Sequence, residues 1–580
     1  MASNNNKASE NPDLRLGLVL LAVATAVAPL IAYSQTPSAT LYNQLAALFG
    51  WGAALLFLSD EVRRFRLDAV AAALLLLLAA PFVAIWCCDL PSSLALESAA
   101  MIGAALVVYL CAAGLHDQAR LRAFDWFCWG LLLAGLLSLG VSVIQVFVPN
   151  WADSNFIARS GLPGRAIGNM RQPNHLASLM MWACVAATYL GDQKRFGRFS
   201  IYMWPVLLFG FVFTIVLSAS RTGLIGVVAL AAWGLIDGRL SRATRITLVC
   251  SLLMLGASWW GMEQWAHAGH VFGAQTRLEN EGAGSGSRIA ILVNALELVK
   301  RNPWFGVGWG EFNLAWTMTP FPNRPIAFFD HTHNVLMQLA VELGLPVTLL
   351  IVALLSWGLW RALAATLGSR GNEEAVMRSS ALMMVLAIGL HSMLEYPLWY
   401  AYFLLPAAFA MGLGAKFDDS AGNHRKAGAP VLAVAGALLL AGTVYAAWEY
   451  QRIVAIYAPA AGDAPLAQRI AVGQHTVFFS SLADYAGATS LPESPESLVA
   501  TRHTSHNLID ARLMKEWAEH LHAADDDDRA RYVVQRLKEF RSNEGKAWLA
   551  ECEKLGDTPT EQRPFQCDPP KREYSWREMR

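Results

Sequence analysis

Charge is scarce in this sequence. Only 16% of its 580 residues are Asp, Glu, Lys or Arg, whereas 55% are apolar. Soluble domains carry about 25% charged residues, so a chain of this size has too little polar surface to cover a globule in water. The shortage excludes an ordinary soluble protein and indicates a chain that resides in a lipid bilayer.

An excess of one charge sign and the common metal and nucleotide motifs are also missing. Lys and Arg together number 45, and so do Asp and Glu. The basic excess that nucleic-acid binding requires is therefore absent. The sequence contains no C-x-x-C or H-E-x-x-H spacing and no Gly-rich ATP-binding loop. We therefore expect no nucleic-acid partner, no metal ion and no cofactor.

What the sequence does have is a series of long apolar segments, each near the roughly 20 residues that cross a bilayer as a helix. The 13 segments are 15–33, 41–58, 68–86, 94–115, 124–148, 174–191, 201–218, 222–237, 246–262, 334–360, 378–395, 397–414 and 429–447. The first follows a polar leader without a cleavage site, which is typical of an uncleaved anchor. The pattern predicts an all-α polytopic integral membrane protein with about 13 transmembrane helices.

The distribution of basic residues predicts the orientation. Lys and Arg accumulate in alternate short loops, as with Arg239, Arg242 and Arg245, and such loops lie on the cytoplasmic side. With an odd number of spans, the amino terminus is cytoplasmic and the carboxyl terminus lies outside. The long segments 149–173 and 263–333 also fall outside, where we expect the active site.

The carboxyl-terminal part of the chain differs in composition. Residues 448–580 are densely charged, and their apolar spacing indicates amphipathic helices. We predict a membrane domain at 1–447 and a mainly helical soluble region at 448–580 on the outer side. There, a bridge between Cys552 and Cys567 would close a 16-residue loop and add about 3 kcal/mol in the chain-entropy model. We expect this disulfide.

Polar residues at membrane depth are costly and usually functional, and here they gather at the outer ends of the spans. The first cluster contains Arg165, Arg171, Gln172, Asn174 and His175. The proline after Gln172 suits a first helical turn, and the residues before it can offer backbone N–H groups to an anion. The alternative is a polar helix entry packed against lipid headgroups.

Two further arginines follow small residues on the outer side. Arg221 lies in the turn S-A-S-R-T-G, where it either clamps a substrate phosphate or reaches a lipid phosphate. Arg288 follows G-S-G-S at 284–287 and opens an amphipathic helix, so the helix dipole adds to its attraction for an anion. We expect one apolar face on that helix, made of Ile289, Leu292, Val293, Leu296 and Val299.

The last two clusters border later spans. His331, His333 and Asn334 end the large outer loop, and Asn334 begins a polar stripe that continues four and eight residues later. A neutral imidazole here can accept a proton from a hydroxyl, although a metal pair and a surface pair are alternatives. Glu395 and Tyr396 lie in a turn between spans, where the alternative is an interfacial aromatic belt.

In combination, the motifs resemble a known family. S-x-S-R-x-G at 218–223, N-P-x-x-G-x-G at 302–308 and H-x-H-N at 331–334 resemble the O-antigen ligase superfamily of membrane glycosyltransferases. R-Q-P-N-H-L-A at 171–177 and L-E-Y-P-L-W-Y at 394–400 resemble its bacterial protein O-oligosaccharyltransferase (PglL-type) branch.

The resemblance implies a GT-C-like glycosyltransferase with a large periplasmic loop in the bacterial inner membrane. Such enzymes transfer a glycan en bloc from undecaprenyl pyrophosphate to Ser or Thr of pilins and other periplasmic proteins, without a metal ion. The resemblance makes His333 the candidate catalytic base and assigns the pyrophosphate to Arg221 and Arg288. Gln172 and Tyr396 match polar positions of the branch.

Three other functions remain as alternatives. An O-antigen ligase would use the same donor with a lipid A core acceptor, and an O-antigen polymerase is a close variant. A lipid-glycan flippase belongs to a different class. It predicts repeated halves and broken helices near the bilayer midplane, and the sequence favours neither feature.

Overall fold

The computed structural model describes residues 12–63, 66–281, 286–369, 373–415, 428–554 and 563–580. Among these residues there is no β-strand, only two isolated bridges. The first half contains α1 (Pro12–Val27), α2 (Leu41–Leu58), α3 (Ala69–Cys88), α4 (Ser92–Gly114), α5 (Asp117–Phe147), α6 (Pro173–Asp192), α7 (Ser200–Ser218), α8 (Arg221–Ile236), α9 (Arg242–His267), α10 (Gly273–Glu281) and α11 (Gly286–Arg301). The prediction of an all-α protein is therefore confirmed.

The second half is helical as well. It contains α12 (Phe312–Met318), α13 (Val335–Gly368), α14 (Glu373–Ser392), α15 (Ala401–Gly414), α16 (Gly428–Tyr457), α17 (Leu466–Gln474), α18 (Ser480–Ser490), α19 (Pro495–Ser505), α20 (Ala511–Ala523), α21 (Asp527–Phe540) and α22 (Asn543–Lys554). Side-chain caps begin several helices: Asp510 accepts the N–H of Leu513 at 2.8 Å where α20 starts. Such caps satisfy backbone donors that the helix itself leaves open.

Nine helices among the described residues are long and apolar enough to cross a membrane: α1, α2, α3, α4, α5, α9, α13, α14 and α16. The apolar helices α8 and α15, and the part of α7 at Tyr202–Ser218, are shorter. Each of the 13 predicted segments overlaps a helix. A multi-pass membrane protein is supported, whereas the number of 13 spans and their orientation stay predictions.

The chain divides into two compact units. The first comprises Met1–Leu74, Gly103–Ala283 and Leu354–Tyr445, and the second Leu75–Ile102, Gly284–Ala353 and Ala446–Arg580. In the first unit α6 is the central helix, because residues 173 to 191 are all buried. It packs against α5, α7, α8 and α14. The predicted domain boundary after residue 447 stays a prediction.

The second unit has its own apolar core. It combines residues of α12, such as Phe312 and Trp316, with residues of the carboxyl-terminal helices, such as Trp517 and Val533. Cys552 and Cys567 form a disulfide in this unit, with their Cα atoms 5.2 Å apart. The core therefore joins segments that lie some 200 residues apart in the sequence.

Only part of the predicted apolar face of α11 packs against the protein, because Val299 enters the core of the second unit. Ile289, Val293 and Leu296 are exposed, whereas Ile291 and Leu298 on the opposite side enter the core of the second unit. Both faces of this helix carry apolar residues, so periodicity alone does not determine which one packs.

Candidate active site

The start of α6 gathers the first predicted cluster. Gln172 caps the helix: its side-chain oxygen accepts the backbone N–H groups of Asn174 and, at 3.1 Å, His175. The N–H groups of the first turn of α6 are therefore occupied by the chain itself. Arg171 has a left-handed backbone (φ 55°) and donates to the carbonyl of Ala39 at 3.2 Å. Burial lowers the pKa of its guanidinium.

A buried chain of hydrogen bonds links three predicted motifs in the first unit. The side-chain amide of Asn174 donates to Glu395 Oε1 at 2.9 Å, and its carbonyl oxygen accepts from Ser220 Oγ at 2.7 Å. All three side chains are buried. Asn suits this place because it offers a donor and an acceptor at once. The R-Q-P-N-H-L-A, S-x-S-R-x-G and L-E-Y-P-L-W-Y motifs therefore meet.

His175 lies beside this chain in an aromatic pocket. Its Nδ1 atom is 3.1 Å from the Tyr402 hydroxyl, and its ring lies edge-on to Tyr400 with centroids 4.5 Å apart. His391 is nearby, 5.9 Å from His175 between ring centroids, and bonds Ser178 at 2.7 Å. His175 is buried among these groups. Tyr396 is partly exposed and stacks on Tyr400.

Three arginines lie at the turn between α7 and α8 or donate to it. Arg165 Nε donates to the carbonyl of Ser218 at 2.8 Å, and Arg277 Nη1 donates to that of Ala219 at 2.9 Å. Arg221 occupies the first position of α8. Helix ends leave carbonyl groups that need donors, and here arginines supply them. Two arginines from other segments therefore donate to the turn that precedes Arg221.

Sequence reasoning missed the residues that shape this region. Arg277 lies in α10, whose sequence resembles an ordinary polar surface helix. Gln145 of α5 accepts the N–H groups of Ile167 and Gly168 at 3.0 and 2.9 Å, and Asn169 accepts that of Ala158 at 3.0 Å. A glutamine inside the apolar segment 124–148 was the available signal, since a buried amide must find partners.

In the second unit, the H-x-H-N motif forms a supported turn. Asn334 Oδ1 accepts the N–H of Met337 at 3.0 Å and so caps α13. The backbone N–H of Thr332 donates to Gln338 Oε1 at 2.8 Å. Gln338 in turn donates to Glu342 at 3.0 Å. The predicted polar stripe therefore stabilises the turn through buried hydrogen bonds.

The two histidines of this turn differ in their surroundings. His333 has a left-handed backbone (φ 55°), which is uncommon outside glycine, and its ring lies edge-on to Phe329 at 5.5 Å. His331 Nδ1 lies 3.1 Å from Asp330 Oδ1. Burial alone would raise the pKa of Asp330, but the hydrogen bond from His331 keeps it below its usual range. Both imidazoles are partly exposed.

Arg288 lies in the first turn of α11 and is partly exposed, as the sequence indicated. Gly284 and Ser285 of the motif before it lie outside the described residues. Downstream, the N-P-x-x-G-x-G segment closely approaches the backbone of α13. A Cβ atom on Gly306 would clash with the carbonyl of Glu342, and Val307 donates to Val341 at 2.8 Å.

A buried charge network in the second unit was not predicted. Glu311 is fully buried, and its two oxygens lie 2.5 Å from His506 Nδ1 and 3.5 Å from Arg580 Nη2. Close by, Arg577 donates to Asn302 at 2.8 Å. Because these partners are about 200 residues apart or more, no local pattern reveals them.

Comparisons with known proteins agree with the motifs. Three family models match: Protein glycosylation ligase at residues 166–190, O-Antigen ligase at 206–352, and Virulence factor membrane-bound polymerase, C-terminal, at 380–551. Two relatives from Acinetobacter baylyi are similar. A general O-oligosaccharyltransferase is 29% identical over 339 residues, 56% of each chain. A ComP-specific O-oligosaccharyltransferase is 23% identical over 258 residues, 44% of this chain and 45% of the relative.

The fold and these matches define the class: a multi-pass membrane protein similar to the O-antigen ligase superfamily. Within that class, the resemblance to the PglL-type protein O-oligosaccharyltransferases is confirmed by the match at 166–190 and by both relatives. The chain spans about half the length of the curated relatives it matches.

Proposed function

We propose that this protein transfers an oligosaccharide en bloc from undecaprenyl pyrophosphate to Ser or Thr hydroxyls of pilins or other periplasmic proteins. The observation that carries the proposal is the buried chain Ser220–Asn174–Glu395, which brings the branch motifs to the arginine-rich turn. The proposal also places the protein in the inner membrane, with its active site facing the periplasm.

The first unit is proposed to bind the pyrophosphate. Guanidinium groups donate paired hydrogen bonds to phosphate oxygens and stay charged, and Arg165, Arg221 and Arg277 lie around one turn. Fixed cations stabilise the charge that develops on a leaving pyrophosphate. They supply the role that a divalent ion has elsewhere, so we propose a reaction that needs neither metal nor cofactor.

Arg288 and His333 of the second unit receive separate roles. Arg288 is proposed to add a phosphate contact at the start of α11, where the helix dipole favours an anion. The imidazole of His333 takes the proton of the acceptor hydroxyl. The hydroxyl oxygen then forms a bond to the anomeric carbon while the bond from that carbon to the pyrophosphate breaks. A single displacement of this kind inverts the anomeric configuration.

The proposal is tested by transfer in cells. The chain is co-expressed with a lipid-linked oligosaccharide pathway and a pilin-like acceptor in a host that lacks its own ligase, and the acceptor mass is measured. We expect a glycan-sized increment that disappears with His333→Ala. The matched control is His475→Ala, an exposed histidine of the same unit, which should retain transfer. Full transfer by a folded His333→Ala protein would contradict the role of His333.

A second candidate is an O-antigen ligase, favoured by the match of residues 206–352 to that family model. It uses the same donor chemistry with a lipid A core sugar as acceptor. The same cells discriminate the two functions, because glycan then appears on lipid A core and the pilin-like acceptor keeps its mass.

A further inference from the structure

Helix α11 presents apolar residues on two opposite faces. Ile291, Ala295 and Leu298 enter the core of the second unit. Ile289, Val293 and Leu296 are 65%, 60% and 44% exposed. At about 100° per residue, these three lie within one narrow strip, roughly opposite the buried face. We call Ile289, Val293 and Leu296 the α11 strip.

The chain that follows α11 extends the exposed apolar surface. Trp304 and Phe305 follow the helix after Asn302 and Pro303 and are 70% and 89% exposed. Aromatic residues exposed to this extent are costly in water, because burying such a side chain contributes about 2 kcal/mol. Two of them next to an exposed aliphatic strip therefore mark a surface that binds something apolar.

The position of this turn relative to α13 indicates what covers it. Leu345 of α13 donates its N–H to the carbonyl of Pro303 at 2.8 Å. Trp304 and Phe305, which follow Pro303 directly, therefore lie close to Leu345 along α13. From here α13 exposes Leu345, Leu349 and Leu350. Because α13 is one of the helices apolar enough to cross a membrane, lipid that covers these leucines also reaches the turn.

The charges on α11 fit the same environment. Lys300 continues the line of the α11 strip one turn after Leu296 and is exposed, while Glu297 and Arg301 lie on its flank. An apolar strip bordered by basic residues is typical of helices that lie in the plane of a membrane interface. Trp is likewise enriched at the level of the headgroups.

We propose that the α11 strip, together with Trp304 and Phe305, docks into the lipid leaflet that α13 enters from Leu345 onward, directly after its kink at Gly344. The outer segment is thereby anchored to the membrane surface by side chains, between Arg288 at one end of α11 and the N-P-x-x-G-x-G turn at the other. This inference does not depend on the transfer reaction proposed above.

Photo-crosslinking in a bilayer tests the docking. The full chain carries p-benzoylphenylalanine in place of Val293 or, separately, of Phe305, and is placed in nanodiscs of phosphatidylethanolamine and phosphatidylglycerol. The matched control carries the same probe in place of Glu297, one turn from Val293 but on the polar flank. After irradiation, peptide mass spectrometry detects added phospholipid. Every variant must first elute as a monodisperse particle.

We expect phospholipid adducts at positions 293 and 305 that exceed those at 297 at least about tenfold, which corresponds to a free-energy difference of about 1.4 kcal/mol in lipid contact. Equal adduct yields at 293 and 297 would overturn the proposal. So would crosslinks from 293 to a second copy of the chain, since the strip would then be a protein interface.

Discussion

Each unit buries a carboxylate, but the two carboxylates have different partners. Glu395 of the first unit accepts a hydrogen bond from the neutral amide of Asn174 at 2.9 Å. Glu311 of the second unit lies between the imidazole of His506 and the guanidinium of Arg580, at 2.5 and 3.5 Å. The first arrangement is a hydrogen-bonded chain, and the second is a charge network.

The two arrangements differ in what they hold in place: one orders side chains of the candidate site, and the other joins distant segments of the second unit. The partners of Glu395 belong to motifs that border the turn between α7 and α8. The hydrogen-bonded chain therefore orders a candidate site. The partners of Glu311 come from the carboxyl-terminal region, and they join that region to the start of α12 within the second unit. Removing one partner of a buried ion pair costs more than removing a neutral hydrogen bond, so the second unit should be more sensitive to single substitutions.

Opening the charge network should give the largest loss of stability. His506→Leu removes a partner from the buried Glu311, and we expect the free energy of unfolding to fall by about 3 kcal/mol. Thermal and denaturant unfolding of the purified protein measure it. Adding Glu311→Gln removes the stranded charge and should recover part of the loss. A loss for His506→Leu below about 1 kcal/mol, the size of an average substitution, would contradict the network.

Breaking the arginine-rich turn should change activity with less effect on folding. Arg221→Ala is expected to lower the transfer rate by about 10²- to 10³-fold, as when one donor to a developing negative charge is removed. Arg221→Lys should recover only part, because an ammonium lacks the paired donors. Arg198→Ala is the control, since Arg198 is exposed and stacks on Phe199. An unchanged transfer rate of the Arg221→Ala protein would contradict the proposed role of Arg221 in binding the pyrophosphate.

The helices were largely predictable from the sequence, because apolar length and local caps determine them. The segment 41–58 coincides with α2, and 201–218 differs from α7 by one residue. Asn174 and Glu395 were also selected from the sequence, because they are polar residues at the ends of apolar segments. Their direct hydrogen bond was not, because they are 221 residues apart.

The remaining misses have physical causes. On α11 two faces are apolar, and the sequence does not say whether protein or lipid covers Val293. Arg277 and Glu311 find their partners through packing between distant segments. Such pairs depend on the assembled core, whereas a single sequence reveals only local spacing.

A sharper test of the hydrogen-bonded chain uses Asn174. Asn174→Ala leaves Ser220 and Glu395 without their shared partner, and we expect a loss of about 1 to 3 kcal/mol in unfolding free energy. Asn174→Asp keeps the shape but places a second carboxylate beside Glu395, so it should be at least as harmful. Asn155→Ala, on an exposed loop of the same unit, is the matched control. Equal free energies of unfolding for these three variants would contradict the hydrogen-bonded chain through Asn174.

The smallest expected effect concerns an ion pair at the surface of the second unit. His503 Nδ1 lies 3.4 Å from Asp484 Oδ2, and this hydrogen bond, against the opposing effect of burial, raises the pKa of His503. A raised folded-state pKa gives stability that is fully present below the unfolded pKa of about 6.5 and lost as the pH rises through the folded value. Since His503 is half exposed, His503→Asn should cost about 0.5 kcal/mol at low pH and nothing at high pH. Unfolding curves of both proteins across this range measure the difference, and a cost that grows with pH would reverse the assigned sign.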